Sequence, residues 1–170
     1  MSPLEADAIV ACLQRHGVRY VLIGGLAAIL HGSPQVTFDA DICPAREPDD
    51  LERLAAALRE LQARIRAVDA PEGLPFACDA AFLSRVEILN LVTAHGELDV
   101  TFQPSGTTGF AELVHNAVPV TIKEHVVLVA SLEDVIRSKE AAGRPRDLAA
   151  LPLLRQLLQR IREQDRREKT

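Results

Sequence analysis

The feature that most constrains this chain is the segment covering residues 20–42, in which apolar runs alternate with turn residues. Its start, Tyr20 to Ile23, has the length of a short buried strand. That strand ends at Gly24 and Gly25, where the chain can turn tightly and expose backbone N–H groups. The run from Leu26 to Leu30 is short and apolar, which favours a helix packed against a sheet. The segment therefore predicts a strand, a glycine turn and a helix in immediate succession.

Two aspartates, Asp39 and Asp41, follow on a predicted second strand. Residues i and i+2 of a strand share one face, so both carboxylates project to the same side. Neighbouring carboxylates repel each other unless a cation neutralises them, and hard oxygen ligands suit Mg²⁺. We therefore expect a metal site at these aspartates. The glycine turn at the start of the short helix is a favourable place for a phosphate.

A third aspartate is predicted on the polar face of a later strand. Residues 86–93 and 98–102 have the pattern of a hairpin that turns at His95 and Gly96. In the second arm the apolar residues alternate with Asp99, which places its carboxylate opposite the core. Glu87, at the start of the first arm, is the competing candidate for a third carboxylate.

The glycine pair and the aspartates together resemble a known signature. Gly24-Gly25, a spacer of thirteen residues and Asp39-Ala40-Asp41 are similar to the G-[GS]…D-x-D pattern of the nucleotidyltransferase (DNA polymerase β-like) superfamily. The surrounding residues are most like small bacterial members related to AbiEii-type toxins and minimal nucleotidyltransferases. Such relatives often have an arginine two residues before the Thr of the T-x-D-x-D run, whereas Gln35 stands at that position here.

The resemblance implies an activity and a role for each aspartate. The expected reaction is Mg²⁺-dependent transfer of a nucleoside monophosphate from an NTP to a hydroxyl acceptor, with two Mg²⁺ ions as cofactors. Asp39 and Asp41 would bridge both ions, and Asp99 would hold the catalytic ion and help deprotonate the acceptor. The acceptor implied by relatives is RNA (such as a tRNA end), a protein side chain or a small molecule such as an antibiotic. An antitoxin protein is a further implied partner.

Four residues are candidates for nucleotide binding. Gly24 and Gly25 would cradle the triphosphate, and the hydroxyl of Ser33 could add a contact. Lys139 belongs to a second segment that resembles these small transferases. It is a helix that begins at Ser131 and has the S-K-x-x-x-x-R-x-K/R-D-L ending that recurs in them. The ammonium group of Lys139 falls along the buried edge of that helix, where it must either extend to solvent or meet an anion. Two anions remain open: a nucleotide phosphate or Asp147 in a structural ion pair.

The whole sequence predicts a single domain over residues 1–170. Alternating strands and helices predict a mixed α/β sheet with helices on one side, and residues 131–170 form a C-terminal helical segment. The segment 69–83, which contains prolines and glycine without a clear period, is expected to be a surface loop. Ser2 to Glu5 has the form of a capping box for the first helix.

Composition limits the location and the partners. No apolar stretch reaches membrane-spanning length, no secretory signal is evident, and three scattered cysteines predict reduced thiols, which together indicate a cytoplasmic protein. The net charge is −5, yet residues 137–170 contain ten Lys and Arg against five Asp and Glu. A basic C-terminal helix fits an RNA partner, with a merely solvated surface helix as the alternative. The rival functions are a non-catalytic nucleotide- or partner-binding module and a metal-dependent phosphohydrolase.

Overall fold

An eight-stranded mixed sheet organises residues 3–170, the part of the chain that the computed structural model describes. The strands are β1 (Tyr20–Ile23), β2 (Asp39–Pro44), β3 (Arg64–Ala67), β4 (Ala70–Leu74), β5 (Ile88–Thr93), β6 (Gly96–Thr101), β7 (Val118–Ile122) and β8 (His125–Val129). The helices are α1 (Ala6–Arg15), α2 (Gly24–Leu30), α3 (Pro48–Glu60), α4 (Ala80–Leu83), α5 (Phe110–Asn116), α6 (Leu132–Ala142) and α7 (Pro145–Glu168). The predicted mixed α/β sheet with a C-terminal helical segment is confirmed.

The order of the strands is β4-β3-β5-β6-β2-β1-β8-β7. Strand β2 runs parallel to β6 and antiparallel to β1, and β1 runs parallel to β8. The other neighbours are antiparallel, and β5 and β6 form the predicted hairpin. The consequence for function is that β2, which carries two of the aspartates, lies directly beside β6, which carries the third.

Alternate residues of the central strands face opposite sides of the sheet. The buried side consists of Ala40, Ile42, Leu89, Leu91, Leu98 and Val100. The other side carries Asp39, Asp41, Asn90, Glu97, Asp99 and Thr101, all at least partly accessible. Because the register pairs Asp41 with Asp99 and Asn90 with Asp99, these polar side chains lie on a common face. Burial of the apolar face thus fixes which way the carboxylates point.

Two sequence expectations about local structure were wrong. The segment 69–83 is not a loop: residues 70–74 form the edge strand β4 and residues 80–83 form α4. Edge strands tolerate proline because one side of their backbone needs no hydrogen-bond donors. Helix α1 begins at Ala6 rather than at Pro3, and Ser2 of the predicted capping box lies outside the described residues. Pro152 lies within α7, which continues past it.

Within residues 3–170, none of the helices combines the length and the apolar character that crossing a membrane requires.

An ion pair between an exposed arginine and a buried aspartate joins the residue before β1 to helix α3. Asp50, in the first turn of α3, is 1% exposed and accepts hydrogen bonds from Nε and Nη2 of Arg19 at 2.8 and 2.6 Å. The Arg19 hydrogen bonds lower the pKa of Asp50 below its ordinary value. A carboxylate whose folded-state pKa is depressed adds stability above its unfolded pKa, and that stability is lost as the pH falls through the folded value.

We predict that Asp50→Asn lowers the free energy of unfolding by about 2 kcal/mol at pH 7, since it weakens hydrogen bonds to a charged group. The difference from wild type should shrink as the pH falls below about 4 and toward the lowered pKa at which the folded wild-type carboxyl loses its charge. Urea unfolding at pH 7 and below about pH 4 measures the difference in the free energy of unfolding. Asp49→Asn makes the same change at an exposed neighbour in the same helix turn and should be close to neutral. Equal effects of the two substitutions at pH 7 would contradict the structural role of Asp50.

Candidate active site

Three carboxylates converge on the polar face of the sheet. Asp39 and Asp41 project from β2, and Asp99 projects from the adjacent position on β6. One carboxylate oxygen from each lies within 4.8 Å of the others. Thr37 donates a hydrogen bond to Oδ1 of Asp39 at 2.8 Å, which orients that carboxylate. Glu87, the competing candidate, instead forms an ion pair with Arg46 at 2.6 Å. The cluster therefore contains Asp99 and not Glu87.

The glycine turn packs directly against this cluster. Gly24 has φ +66°, and a Cβ at that position would collide with the carboxylate of Asp41. A Cβ on Gly25 would lie 2.9 Å from Oγ1 of Thr37. Both positions therefore require glycine, because the start of α2 approaches the side chains of the carboxylate strand closely.

Burial and mutual repulsion perturb the carboxylates. Burial raises the pKa of Asp41 to about 7, and the negative charges of Asp39 and Asp99 act in the same direction. Burial also raises the pKa of Asp99 to about 6, although Arg66 opposes that rise. Crowded carboxylates of this kind mark a place where positive charge is favourable.

One cation at the cluster, Arg66, was not identified from the sequence. Arg66 lies on β3 and donates to Oδ1 of Asp99 through Nη2 and to Oε2 of Glu97 through Nη1, the latter at 2.7 Å. Its Nε is buried without a hydrogen-bond partner among the described residues. Arg66 thus holds one oxygen of Asp99 from the direction of β3, whereas Gly24 follows β1 on the other side of the cluster.

The cluster forms the floor of a cleft of about 770 Å³, which we call the catalytic cleft. Its opposite wall comes from α6 and the start of α7. The basic residues of that wall are Lys139, Arg144 and Arg146. Nζ of Lys139 lies 3.2 Å from Oδ1 of Asp147, and Arg144 donates to Oδ2 of the same carboxylate at 2.5 Å. The structure therefore contains the Lys139–Asp147 ion pair and also places both residues along the cleft.

The remaining predicted residues differ in their position. Gly24, Gly25 and Gln35 line the catalytic cleft, together with Val36 and Thr37. Ser33 does not line it: this residue is 6% exposed, and its hydroxyl accepts a long hydrogen bond of 3.4 Å from the backbone N–H of Gln35. Ser33 thus stabilises the turn between α2 and β2.

The donor set fits a hard divalent cation. Three carboxylates from two adjacent strands supply only oxygen ligands, which Mg²⁺ prefers. The raised pKa values of Asp41 and Asp99 show that the bare cluster is electrostatically unfavourable. Asp39, Asp41 and Asp99 are accordingly the residues that would hold a metal ion.

Comparison with known proteins identifies the fold. No family model and no curated protein sequence matches the chain. Among solved structures, the lincosamide antibiotic adenylyltransferase LnuA with lincomycin bound is similar, with a TM-score of 0.61 and 15% identity over 92% of this chain and 99% of LnuA. The Thermotoga maritima protein TM1012, which is classed as a nucleotidyltransferase, gives a TM-score of 0.54 and 16% identity over 89% of this chain and 94% of its own. The chain therefore has the nucleotidyltransferase fold.

We predict that Mn²⁺ raises the unfolding temperature of wild type, and that Gly24→Ala abolishes this stabilisation because its methyl group would displace the carboxylate of Asp41. Gly143→Ala is the matched control: φ is +63° there, but a Cβ would meet nothing closer than 3.9 Å. Both substitutions should cost about 1–2 kcal/mol for the left-handed backbone conformation. Thermal unfolding with and without Mn²⁺ separates the two effects. A normal Mn²⁺ response in Gly24→Ala would show that the turn does not shape the carboxylate cluster.

The raised pKa of Asp41 predicts how metal-free stability depends on pH. The folded state binds a proton more tightly than the unfolded state, so ionisation of Asp41 destabilises the fold as the pH rises from about 4 to about 7. Asp41→Asn removes this penalty. Its urea midpoint in EDTA should exceed that of wild type at pH 8, with a smaller difference at pH 4. An Asn variant that is less stable than wild type at pH 8 would contradict the repulsion between these carboxylates.

Proposed function

We propose that the protein is a Mg²⁺-dependent nucleotidyltransferase that moves a nucleoside monophosphate from an NTP to a hydroxyl acceptor. The observation that carries this proposal is the convergence of Asp39, Asp41 and Asp99 beside the Gly24–Gly25 turn in one cleft with a basic opposite wall. The nucleotidyltransferase fold of the similar structures supports it. Bound Mg²⁺ would neutralise charge on the phosphates and on the attacking oxygen.

The residues of the cleft have separate roles in this proposal. Asp39 and Asp41 would hold both metal ions, Asp99 would also hold the catalytic one, and the backbone N–H groups at the start of α2 would receive the triphosphate. Lys139, Arg144 and Arg146 face the phosphates from the other wall. The acceptor hydroxyl attacks the α-phosphorus, the bond to the β-phosphate oxygen breaks, and pyrophosphate leaves. Asp99, at the far edge of the cluster, takes the proton of the hydroxyl.

For Lys139, the ion pair with Asp147 and phosphate binding are compatible. Lys139 and Asp147 side chains are 18% and 3% exposed, so the carboxylate holds the ammonium group at the cleft wall rather than out in solvent. Asp147 also binds Arg144, so two cations converge on one anion there. An entering phosphate would meet both cations already positioned. Asp147 is thus proposed to position the phosphate-binding side chains.

A non-catalytic binding module is the alternative, and the carboxylates argue against it. A protein that only binds nucleotide needs phosphate-binding cations and a metal ligand or two. It gains nothing from Asp99, whose pKa is raised by burial and whose charge is partly balanced by Arg66. A third, partly buried carboxylate with a raised pKa is typical of a residue that acts in the reaction.

The similarity in chain length to LnuA is compatible with a small-molecule acceptor. LnuA is a lincosamide antibiotic adenylyltransferase, and the similarity covers 99% of its chain. A chain of this size therefore suffices for transfer to a small molecule without an additional acceptor domain. RNA, a tRNA end or a protein side chain as acceptor, and the toxin-like subtype with its antitoxin partner, stay predictions from the sequence resemblance.

The division of labour among the aspartates gives the decisive experiment. Asp99→Asn should bind NTP with Mg²⁺ at near wild-type affinity, whereas the transfer rate should fall by orders of magnitude, because Asp99 acts on the acceptor. Asp41→Asn should lose both affinity and rate. The measurements are the NTP dissociation constant by calorimetry and the single-turnover rate with α-labelled NTP.

Glu87→Gln is the control, since Glu87 lies outside the cluster and is 63% exposed. It should keep both the affinity and the rate of wild type. If Asp99→Asn keeps the transfer rate and Glu87→Gln loses it, the third catalytic carboxylate is Glu87, and the role proposed for Asp99 is wrong. NTP binding with no transfer to any acceptor in wild type would favour the binding module.

A further inference from the structure

A second cleft opens on the same face of the sheet, on the side of Asp99 away from Gly24. It has a volume of about 630 Å³, and residues of β3, β4, β5 and β6 line it. Volumes of this size are typical of pockets that hold small molecules. We call it the β-face cleft. Its floor follows the strands outward from the carboxylate cluster, over β5 and β3.

The two clefts share one lining residue, Asn90, which is the neighbour of Asp99 on the adjacent strand. Arg66 lines the β-face cleft and donates a hydrogen bond to Asp99. A hydroxyl group at the shared end would therefore face the carboxylate that is proposed to take its proton. The rest of such a molecule would extend away from the phosphates.

The charges of the β-face cleft are balanced and already paired. Arg66 is bound to Glu97 and Asp99. Arg64 donates from Nε to the backbone oxygens of Glu72 and Gly73 at 2.9 and 3.2 Å. Two arginines and two glutamates line the cleft, so its charged side chains sum to zero. A lining without surplus positive charge does not attract a polyanion, which leaves an uncharged or cationic molecule as the better fit.

Apolar groups complete the lining. Val68, Pro71 and Val92 contribute hydrocarbon surface, and Val68 is 99% exposed at the tip of the β3–β4 hairpin. Asn90 and Thr93 add hydrogen-bonding groups. A site with apolar walls and a few polar groups is typical of one that orients a small organic ligand.

The basic residues that would suit RNA lie elsewhere. Four of them, Arg160, Arg162, Arg166 and Arg167, lie in the second half of α7, whereas the start of that helix lines the catalytic cleft. At a rise of 1.5 Å per residue, Arg160 is about 20 Å along the helix from Arg146. Moreover, Arg162 contacts Glu133 at 3.1 Å. No residue of α7 lines the β-face cleft.

We propose that the β-face cleft binds the acceptor, and that the acceptor is a small uncharged or cationic molecule with a hydroxyl group. This assignment rests on the proposed transferase function. The triphosphate lies between the glycine turn and the basic wall, and the acceptor lies over β5 and β3. Asp99 stands where the two substrates meet. The roles of Asn90 and of the valines are to orient and enclose the acceptor.

The test fills the cleft without touching the carboxylates. Val92→Trp narrows its floor, and Val68→Trp adds bulk at a fully exposed position where the fold is not at risk. Val126→Trp makes the same change on β8, 60% exposed and outside both clefts. Each variant is incubated with α-labelled NTPs and Mg²⁺. The acceptors are lincomycin, the low-molecular-weight fraction of a bacterial extract, and total RNA.

Wild type and Val126→Trp should label a compound in one of the small-molecule samples. Val92→Trp and Val68→Trp should reduce that labelling at least tenfold and change the NTP dissociation constant less than twofold. Labelling of RNA instead, undiminished labelling in both cleft variants, or an equal loss of NTP binding would overturn the acceptor assignment alone. Failure of wild type to bind NTP or to label any sample would overturn the proposed function itself.

Discussion

Repulsion among three carboxylates is the constraint on which the rest of this structure depends. Parallel pairing of β2 with β6 places Asp41 beside Asp99, and the i, i+2 spacing adds Asp39 to the same face. In water such charges would separate, but the apolar residues between them are buried and hold the strands in register. The hydrophobic core thus supplies the free energy that keeps an unfavourable cluster together. Raised pKa values at Asp41 and Asp99 are the electrostatic consequence.

The sequence predicts the parts of the site that depend on local geometry. Alternation in a strand is a local property, so the common face of Asp39 and Asp41 and the outward direction of Asp99 follow from spacing alone. Pairing of β2 with β6 is different, because more than fifty residues separate these two strands in the sequence. That interval contains three other strands. Only the family resemblance suggested that the third aspartate joins the other two.

Two features could not be read from the sequence, for distinct reasons. Arg66 reaches Asp99 because β3 lies beside β5 in the sheet, and nothing local to Arg64–Ala67 indicates that neighbour. The strand β4 was hidden by Pro71 and Gly73, which usually indicate a loop. It is formed at the sheet edge, where proline is tolerated, and Gly73 has φ +74° where the register with β3 shifts. The β-face cleft depends on both features and was therefore not foreseen.

Arg66 connects the stability of the site with its chemistry. Its guanidinium bridges Asp99 and Glu97, so it neutralises part of the negative charge without occupying the space between Asp39 and Asp41. A lysine would offer a single ammonium group and could not hold both carboxylates in a fixed plane. Because the guanidinium of Arg66 binds one oxygen of Asp99, it also fixes the direction in which the second oxygen points. A fixed orientation of that oxygen is what proton transfer from a bound hydroxyl requires, since the distance between the two oxygen atoms must be short and reproducible. In the proposed reaction, the cation that lowers the electrostatic cost of the cluster would thus also determine where the acceptor binds.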